Sequence, residues 1–171
     1  MCADFLRRLL TKDSPPLPGY KLDESCSCDF TDVPASGVEY TRGGRVYNPP
    51  YGWRRFVLAS HNNKKLMKAT RALDSPYTPA DGDWAVSYRG WDGDAMDNNI
   101  ICPAGLCSTP DVEIASQFAG KIEWQGRRYK IVWQTLVNPE NLQTDVRDGQ
   151  HFWVAAKEKN ICRVAYCLKP L

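Results

Sequence analysis

The sequence predicts an α+β domain in which strands outnumber helices, and three stretches carry that prediction. Residues 84–88 alternate large apolar and small side chains, which is the pattern of a half-buried strand. Residues 131–137 are apolar for most of their length, as expected for a central strand. Residues 110–119 have the start signals and the apolar face of a helix. A helix inserted among several strands is typical of α+β architecture.

The helix prediction depends on residues near its two ends. Thr109 is a favoured N-cap, and Pro110 suits the first helical position because its fixed φ and missing N–H are tolerated there. Asp111 and Glu113 are acidic and favour the positive end of the helix dipole. Gly120 can end the helix.

Further elements are predicted along the chain. Residues 53–58 are expected to form a strand after a Pro-Pro-Tyr-Gly turn, and residues 62–73 a helix with basic residues on its outer face. Residues 151–156 and 161–168 are apolar enough for strands of a buried sheet, whereas residues 141–150 are polar and rich in turn formers. The chain shows no tandem repeat or low-complexity tract, so one domain is expected.

Residues 1–46 are predicted to be a lead-in segment, and residues 47–171 the folded domain. Residues 14–19 contain three prolines, which favours an extended spacer over a ligand for a proline-binding module. Cys26 and Cys28 form a Cys-x-Cys pair that could be half of a zinc site. Two thiols in a polar loop is the favoured interpretation, because no comparable Cys or His pair lies close by.

Composition is that of an ordinary soluble globular protein. The 171 residues are 43% hydrophobic and 25% charged. The net charge of +2 is too small to argue for nucleic acid or an anionic membrane surface. No apolar run is long enough to span a membrane, and no signal-peptide pattern opens the chain. The seven cysteines are an odd number, so we expect mostly reduced thiols in a cytoplasmic or nuclear protein.

Two short motifs carry a family resemblance. The strand at residues 84–90 ends in Ser-Tyr-x-Gly, and residues 105–111 read Gly-Leu-Cys-Ser-Thr-Pro-Asp before the predicted helix. This arrangement resembles the core of ADP-ribosyltransferases of the poly(ADP-ribose) polymerase type. The resemblance covers residues 53–171 and implies two packed, mainly antiparallel sheets that form a cleft, with few helices.

The resemblance also implies where the catalytic residues of the family would fall. Its His and Tyr, which hold the nicotinamide side of NAD, fall on Arg89 and Cys107, and its catalytic Glu falls on Phe152 or Trp153. Arg89 would bring a permanent positive charge, and Cys107 cannot stack on a nicotinamide ring. Phe152 lacks the carboxylate that would support an oxocarbenium-like centre. The interval at residues 90–106 is also short for the loop that covers the cofactor in the family.

We therefore predict a catalytically degenerate ADP-ribosyltransferase-like domain that acts by binding a nucleotide-like molecule or a peptide partner. The residues expected to line its cleft are Tyr88, Arg89, Gly90, Trp91, Cys107, Ser108 and Trp153. A competing interpretation makes the aromatic residues simply core. The core interpretation is favoured for Trp84 and Trp133. For Tyr88 and Trp91 the core and cleft interpretations are equally favoured.

Three alternatives are kept. An active transferase would bind NAD as cofactor, anchor it through Arg89 and use Glu113 or Glu158 as its carboxylate. A thiol enzyme would use Cys107 as nucleophile and His151 as base, although such separated residues are more often structural. Nucleic-acid binding is disfavoured by the small net charge. Its candidate residues are Arg54, Arg55, Lys64, Lys65, Lys68 and Arg71.

Two further cysteine pairs have a spacing that invites a zinc site, Cys102 with Cys107 and Cys162 with Cys167. We predict no structural zinc, because residues five apart in a regular strand point to opposite faces.

Overall fold

The computed structural model describes residues 15–24, 26–35, 37, 39–59, 83–91, 101–102 and 105–171, with only the backbone at residues 101, 102 and 105. The helix predicted at residues 62–73 lies outside this part of the chain. Within it are twelve strands, one α-helix, and short 3-10 turns at Pro139–Asn141 and Glu158–Asn160. In chain order the elements are β1 (Cys28–Asp29), β2 (Tyr40–Arg42), β3 (Arg45–Tyr47), β4 (Arg54–Val57), β5 (Ala85–Gly90), β6 (Ile101–Cys102), β7 (Gly105–Ser108), α1 (Val112–Ser116), β8 (Gly120–Trp124), β9 (Arg127–Val137), β10 (Leu142–Arg147), β11 (Gln150–Ala155) and β12 (Ile161–Pro170).

The larger sheet is built around β9. Its six strands are antiparallel, in the order β1–β4–β12–β9–β5, and β8 also pairs with β9. One edge of β9 pairs with β12. Along the other edge, residues 132–137 pair with β5 and residues 127–131 pair with β8. The strands β5 and β8 therefore lie end to end.

A second antiparallel sheet, in the order β10–β11–β7–β6, meets the first at β5. The backbone N–H of Tyr88 donates to the Thr109 carbonyl at 2.7 Å, and the N–H of Thr109 donates to the Tyr88 carbonyl at 2.9 Å. Thr109 directly follows β7, so this bridge joins the two sheets. The hairpin β2–β3 forms a separate two-stranded sheet.

Apolar side chains cover both faces of the larger sheet. One face packs against α1 and the hairpin β2–β3, in a cluster of Tyr47, Trp53, Val86, Tyr88, Val112, Ala115, Val132, Leu136, Val164 and Cys167. The other face packs against residues 17–22 and β8, in a cluster of Leu17, Phe56, Leu58, Tyr129, Ile131, Trp133, Tyr166 and Leu168. Residues that precede the predicted domain start at residue 47 therefore contribute to the core.

The prediction of an α+β fold with mainly antiparallel strands and few helices is confirmed. The strands predicted at residues 84–88 and 131–137 correspond to β5 and β9, which pair with each other. The strands predicted at residues 151–156 and 161–168 correspond to β11 and β12. The stretch at residues 141–150, although polar and rich in turn formers, contains β10.

The predicted helix is present but shorter than expected. It spans Val112–Ser116, and its N-cap is Asp111, whose side chain accepts hydrogen bonds from the N–H groups of Glu113 and Ile114. The prediction of Thr109 as N-cap is wrong, because the backbone of Thr109 is paired with β5. Neither α1 nor any other described helix is long and apolar enough to span a membrane.

The Cys26–Cys28 segment differs in part from the polar loop that the sequence predicts. Cys28 lies in β1, which pairs with β4, and the two cysteines are 5% and 0% exposed. Four of the described cysteines are not disulfide-bonded, which agrees with the expectation of mostly reduced thiols; these are Cys26, Cys28, Cys162 and Cys167.

Candidate functional site

The predicted cleft residues lie where β5 meets β7, at the junction of the two sheets. The bridge between Tyr88 and Thr109 is antiparallel, so the same register places Arg89 opposite Ser108. Side chains alternate along a strand, so neighbouring members of the predicted set point to opposite sides of the junction. The set therefore forms two groups rather than one lining.

Arg89, Ser108 and Trp153 form the first group. Arg89 is paired with Trp133 of β9, and Ser108 is paired with Trp153 of β11. Arg89, Ser108 and Trp153 are 8%, 1% and 6% exposed. Trp91 follows Arg89 by two residues and packs, half-buried, against the core cluster that contains Trp133. This group is a row of packed side chains rather than the wall of an open cleft.

Tyr88, Cys107 and Phe152 form the second group, on the side of the junction that faces α1. The Tyr88 hydroxyl donates to the Asn48 carbonyl at 2.7 Å and accepts from the Gln134 side chain at 3.3 Å. Burial raises the pKa of Tyr88 well above its ordinary value. Of the two interpretations of Tyr88, the core one is confirmed.

Cys107 is disulfide-bonded, and the prediction of a thiol nucleophile at this position is wrong. The side chain is fully buried, and its bonding partner lies outside the described side chains. A disulfide sulfur carries no thiolate that could attack a substrate. His151, the predicted base, is exposed and lies three residues along β11 from Val154, the neighbour of Cys107. That separation is about 10 Å.

Phe152 occupies the position at which the resemblance places the catalytic Glu. It is 3% exposed and shares an apolar cluster with Cys107 and Ile114. Its ring meets the edge of the Phe118 ring, with the centroids 6.4 Å apart. Gly90 touches the same segment, since a Cβ at residue 90 would lie 2.1 Å from the Phe118 carbonyl oxygen. The residues after α1 therefore fill the space beside the end of β5.

The two cysteines of β12, Cys162 and Cys167, do not point to opposite faces of the sheet as predicted. A β-bulge between Arg163 and Ala165 shifts the alternation of the strand, and Cys162 and Cys167 pack against the same core cluster. Burial raises the pKa of both thiols, that of Cys167 to about 12. In the part of the chain that the structure describes, no group of three His, Cys, Asp or Glu residues is placed to hold a metal ion.

Glu113, a candidate carboxylate, connects α1 to β12 and to Trp53, the residue before β4. Its Oε1 accepts from the Trp53 indole at 2.9 Å and from the Lys169 ammonium at 2.8 Å. Burial alone would raise the pKa of Glu113, but these two hydrogen bonds, together with the positive charges of Lys169 and Lys130, outweigh burial and lower the pKa below its ordinary value. The other candidate, Glu158, is exposed in a 3-10 turn. The contacts of Glu113 are those of a structural link.

We expect Glu113→Gln to lower the free energy of unfolding by about 0.5 kcal/mol at neutral pH, since solvent screens a half-exposed ion pair. The folded-state pKa of Glu113 is lowered, so its contribution is present above the unfolded-state pKa and is lost as the pH falls through the folded-state pKa. Urea denaturation of both proteins should therefore converge at acid pH. Glu123→Gln, an exposed change on β8, is the control and should show no such convergence. A pH-independent loss in Glu113→Gln would contradict the ion-pair argument.

The two arginines at the start of β4 have different environments. Arg54 is partly exposed and pairs with Asp29, with Nε 3.0 Å from the carboxylate. Arg55 is fully buried, so it cannot contact a nucleic acid. The other basic residues considered for nucleic-acid binding, at residues 64–71, lie outside the described residues.

A pocket of about 330 Å³ lies on the face of the larger sheet that residues 17–22 cover. Its lining combines aromatic and charged side chains, among them Tyr20, Lys21, Glu24, Arg54, Phe56 and Trp124. None of the predicted cleft residues lines it. Apart from Arg54, these residues carried no functional signal in the sequence, because they come from separate stretches that no motif connects.

A scan against models of known protein families found no match, and a search of curated proteins found no significantly similar sequence. The resemblance to ADP-ribosyltransferases therefore stays a prediction.

Proposed function

We propose that this chain is an ADP-ribosyltransferase-like domain that lacks transferase activity and acts by binding a nucleotide-like molecule or a peptide. The observation that carries the proposal is the packing of Phe152, which, with Trp153, is where the resemblance would place the family's catalytic Glu. Phe152 lies in an apolar cluster beside the disulfide-bonded Cys107. The Arg147 guanidinium lies 5.8 Å from the centre of the Phe152 ring, and the phenyl ring itself carries no charge that could support an oxocarbenium-like centre.

The same region does not fit a bound NAD. Gly90 is in direct contact with the Phe118 backbone, so little space is left for a nicotinamide ring beside the end of β5. Tyr88 is committed to hydrogen bonds with Asn48 and Gln134 inside the core. Arg89 adds positive charge where transfer would require a group that supports a cationic centre. These features argue against transferase catalysis at the junction of β5 and β7.

A cytoplasmic or nuclear location belongs to the proposal. The reduced cysteines, of which Cys26, Cys28, Cys162 and Cys167 are described, suit a reducing compartment. The disulfide at Cys107 is the observation that opposes it.

We expect no transfer of label to the protein or to an added acceptor when the purified chain is incubated with labelled NAD. An active ADP-ribosyltransferase, assayed alongside, shows that the conditions permit transfer. The physical reason for the expected result is that no carboxylate stands at residue 152 to support the developing positive charge. Clear activity of the wild-type chain that disappears in Arg89→Ala would overturn the proposal, because it would show that Arg89 anchors the cofactor.

A further inference from the structure

We propose that the pocket lined by Tyr20, Phe56 and Trp124 binds a planar aromatic molecule that carries one anionic group and has the size of a mononucleotide. We call it the Trp124 pocket. It is separate from the junction of β5 and β7, and none of the residues discussed there lines it. The proposal does not depend on whether the chain is a transferase.

The aromatic wall of the Trp124 pocket is held rigidly. Phe56 stacks on Tyr166, with centroids 5.1 Å apart and planes 9° apart. Trp124 meets Phe56 in an edge contact at 5.7 Å and also packs at 5.7 Å against Tyr129. A pocket whose rings are already ordered loses little conformational freedom when it binds a flat ligand.

Backbone geometry also fixes the position of Trp124. It is the last residue of β8, and Gln125 and Gly126 follow with φ of 51° and 70°. Two successive residues with positive φ are the geometry of a two-residue type I′ hairpin, which matches the twist of the paired strands. Gln125 lines the pocket too, and its side-chain amide can pair with polar atoms on the edge of a ring.

Cationic donors beside the pocket can bind an anionic group. Lys21 and Arg54 are cationic lining residues, while Glu24 and the Arg54 partner Asp29 are anionic, so an anion would be held by direct contacts with the two cations rather than by a net positive charge. The ion pair of Arg54 with Asp29 is made through Nε. A guanidinium has two further amino groups that can donate to a carboxylate or phosphate oxygen. A cationic ligand would be repelled by Lys21 and Arg54. A purely aliphatic ligand would make no ion pair or hydrogen bond with these two side chains.

The volume limits the ligand. A value of about 330 Å³ is near the lower end of small-molecule pockets. It suits one base, one sugar and one phosphate rather than a dinucleotide. Two prolines, Pro15 and Pro16, also line the pocket, and they have no N–H group to pair with the backbone of an extended peptide. These features favour a mononucleotide-like ligand over a peptide segment.

The test is calorimetric titration of the full chain with adenosine 5′-monophosphate, adenosine and inorganic phosphate. We expect the monophosphate to bind about tenfold more tightly than adenosine, because one charge-assisted contact contributes about 1.4 kcal/mol. Inorganic phosphate alone should bind too weakly to measure, since it makes no aromatic contact. Absence of monophosphate binding at millimolar concentration would overturn the proposal, as would equal affinity for adenosine and its monophosphate.

Matched variants locate the binding. Lys21 is exposed, so Lys21→Gln should leave the melting temperature unchanged while it lowers monophosphate affinity but not adenosine affinity. Lys121→Gln, an exposed change on β8 that does not line the pocket, should alter neither. Trp124→Leu should weaken both nucleoside ligands about tenfold by loss of stacking. Binding that survives both Lys21→Gln and Trp124→Leu would place the ligand elsewhere and refute the site, as would binding of a proline-containing peptide but not of the monophosphate.

The two proposals fail separately. Transfer of label from NAD would refute the binding-only function and would leave the Trp124 pocket unaffected. Loss of monophosphate binding in the pocket variants supports the pocket whatever the result of the transfer assay.

Discussion

Replacing Gly90 with alanine is expected to destabilise the fold by about 3 kcal/mol or more, at the upper end of the cost of overpacking. The new Cβ would lie 2.1 Å from the Phe118 carbonyl oxygen and 2.6 Å from the Phe118 Cβ. No side-chain rotation relieves these contacts, because both atoms are fixed by the backbone. Relief requires the segment after α1 to move away from β5. Urea denaturation followed by tryptophan fluorescence measures the loss.

The size of this effect follows from how β5 and β8 share one edge of β9. Gly120 begins β8, and a Cβ there would lie 2.3 Å from the Trp91 carbonyl oxygen. The chain that leaves β5 and the chain that enters β8 therefore touch at both glycines. Any side chain at either position separates two strands that must both pair with β9.

Gly44→Ala is the control for Gly90→Ala. Gly44 has a φ of 68°, and a Cβ there would meet no atom within 4 Å. Its cost is therefore the left-handed backbone alone, about 1 kcal/mol. If the two variants unfolded at the same urea concentration, the close approach at Gly90 could not be correct.

An apolar pattern locates the strands that are buried on both faces. The central strands β9 and β12 are buried for most of their length, so their sequences are nearly continuous apolar runs. Among the described strands, β8 and β10 each pair on one side only. β8 exposes the alternate residues Lys121 and Glu123, and half of the residues of β10 are exposed. Their mixed composition does not differ from that of a loop, so the sequence pattern does not locate them.

The site depends on strand register, which no local pattern specifies. Thr109 has the preferred chemistry of an N-cap, yet its backbone pairs with Tyr88, and that pairing moves the helix start to Asp111. The same pairing decides that Tyr88 faces the core beside α1 while Arg89 faces the opposite way. Tyr20 and Trp124 are far apart in sequence, and they line one pocket only because both pack on the same face of the larger sheet.

Replacing Arg55 with alanine is expected to lower the free energy of unfolding by about 4 kcal/mol. Arg55 is fully buried on β4, between Cys28 of β1 and Cys167 of β12 in the strand register. Its Nη2 donates to the Cys26 carbonyl at 3.0 Å, and its guanidinium lies 5.5 Å from the centre of the Phe30 ring. Alanine would leave a cavity that costs about 2–5 kcal/mol. It would also remove the charged donor of the Cys26 carbonyl and leave the weak Cys28 Sγ donor at 3.6 Å, which costs about 1 kcal/mol or more.

Arg54→Ala is the matched control for Arg55→Ala. It removes the same side chain one residue earlier, from a partly exposed ion pair with Asp29, and should cost about 0.5 kcal/mol. Arg55→Met keeps most of the side-chain volume but cannot make the hydrogen bond. Its free energy of unfolding should therefore lie between those of the wild type and Arg55→Ala, because the cavity is filled and the hydrogen bond is still missing. In Arg55→Ala, the Cys26–Cys28 segment loses its hydrogen bond to the Arg55 side chain, while the backbone pairing of β1 with β4 and the Arg54–Asp29 ion pair remain. Cys26 and Cys28 should therefore react with iodoacetamide faster than in the wild type. Equal losses for Arg54→Ala and Arg55→Ala would show that Arg55 does not hold β1 on the sheet.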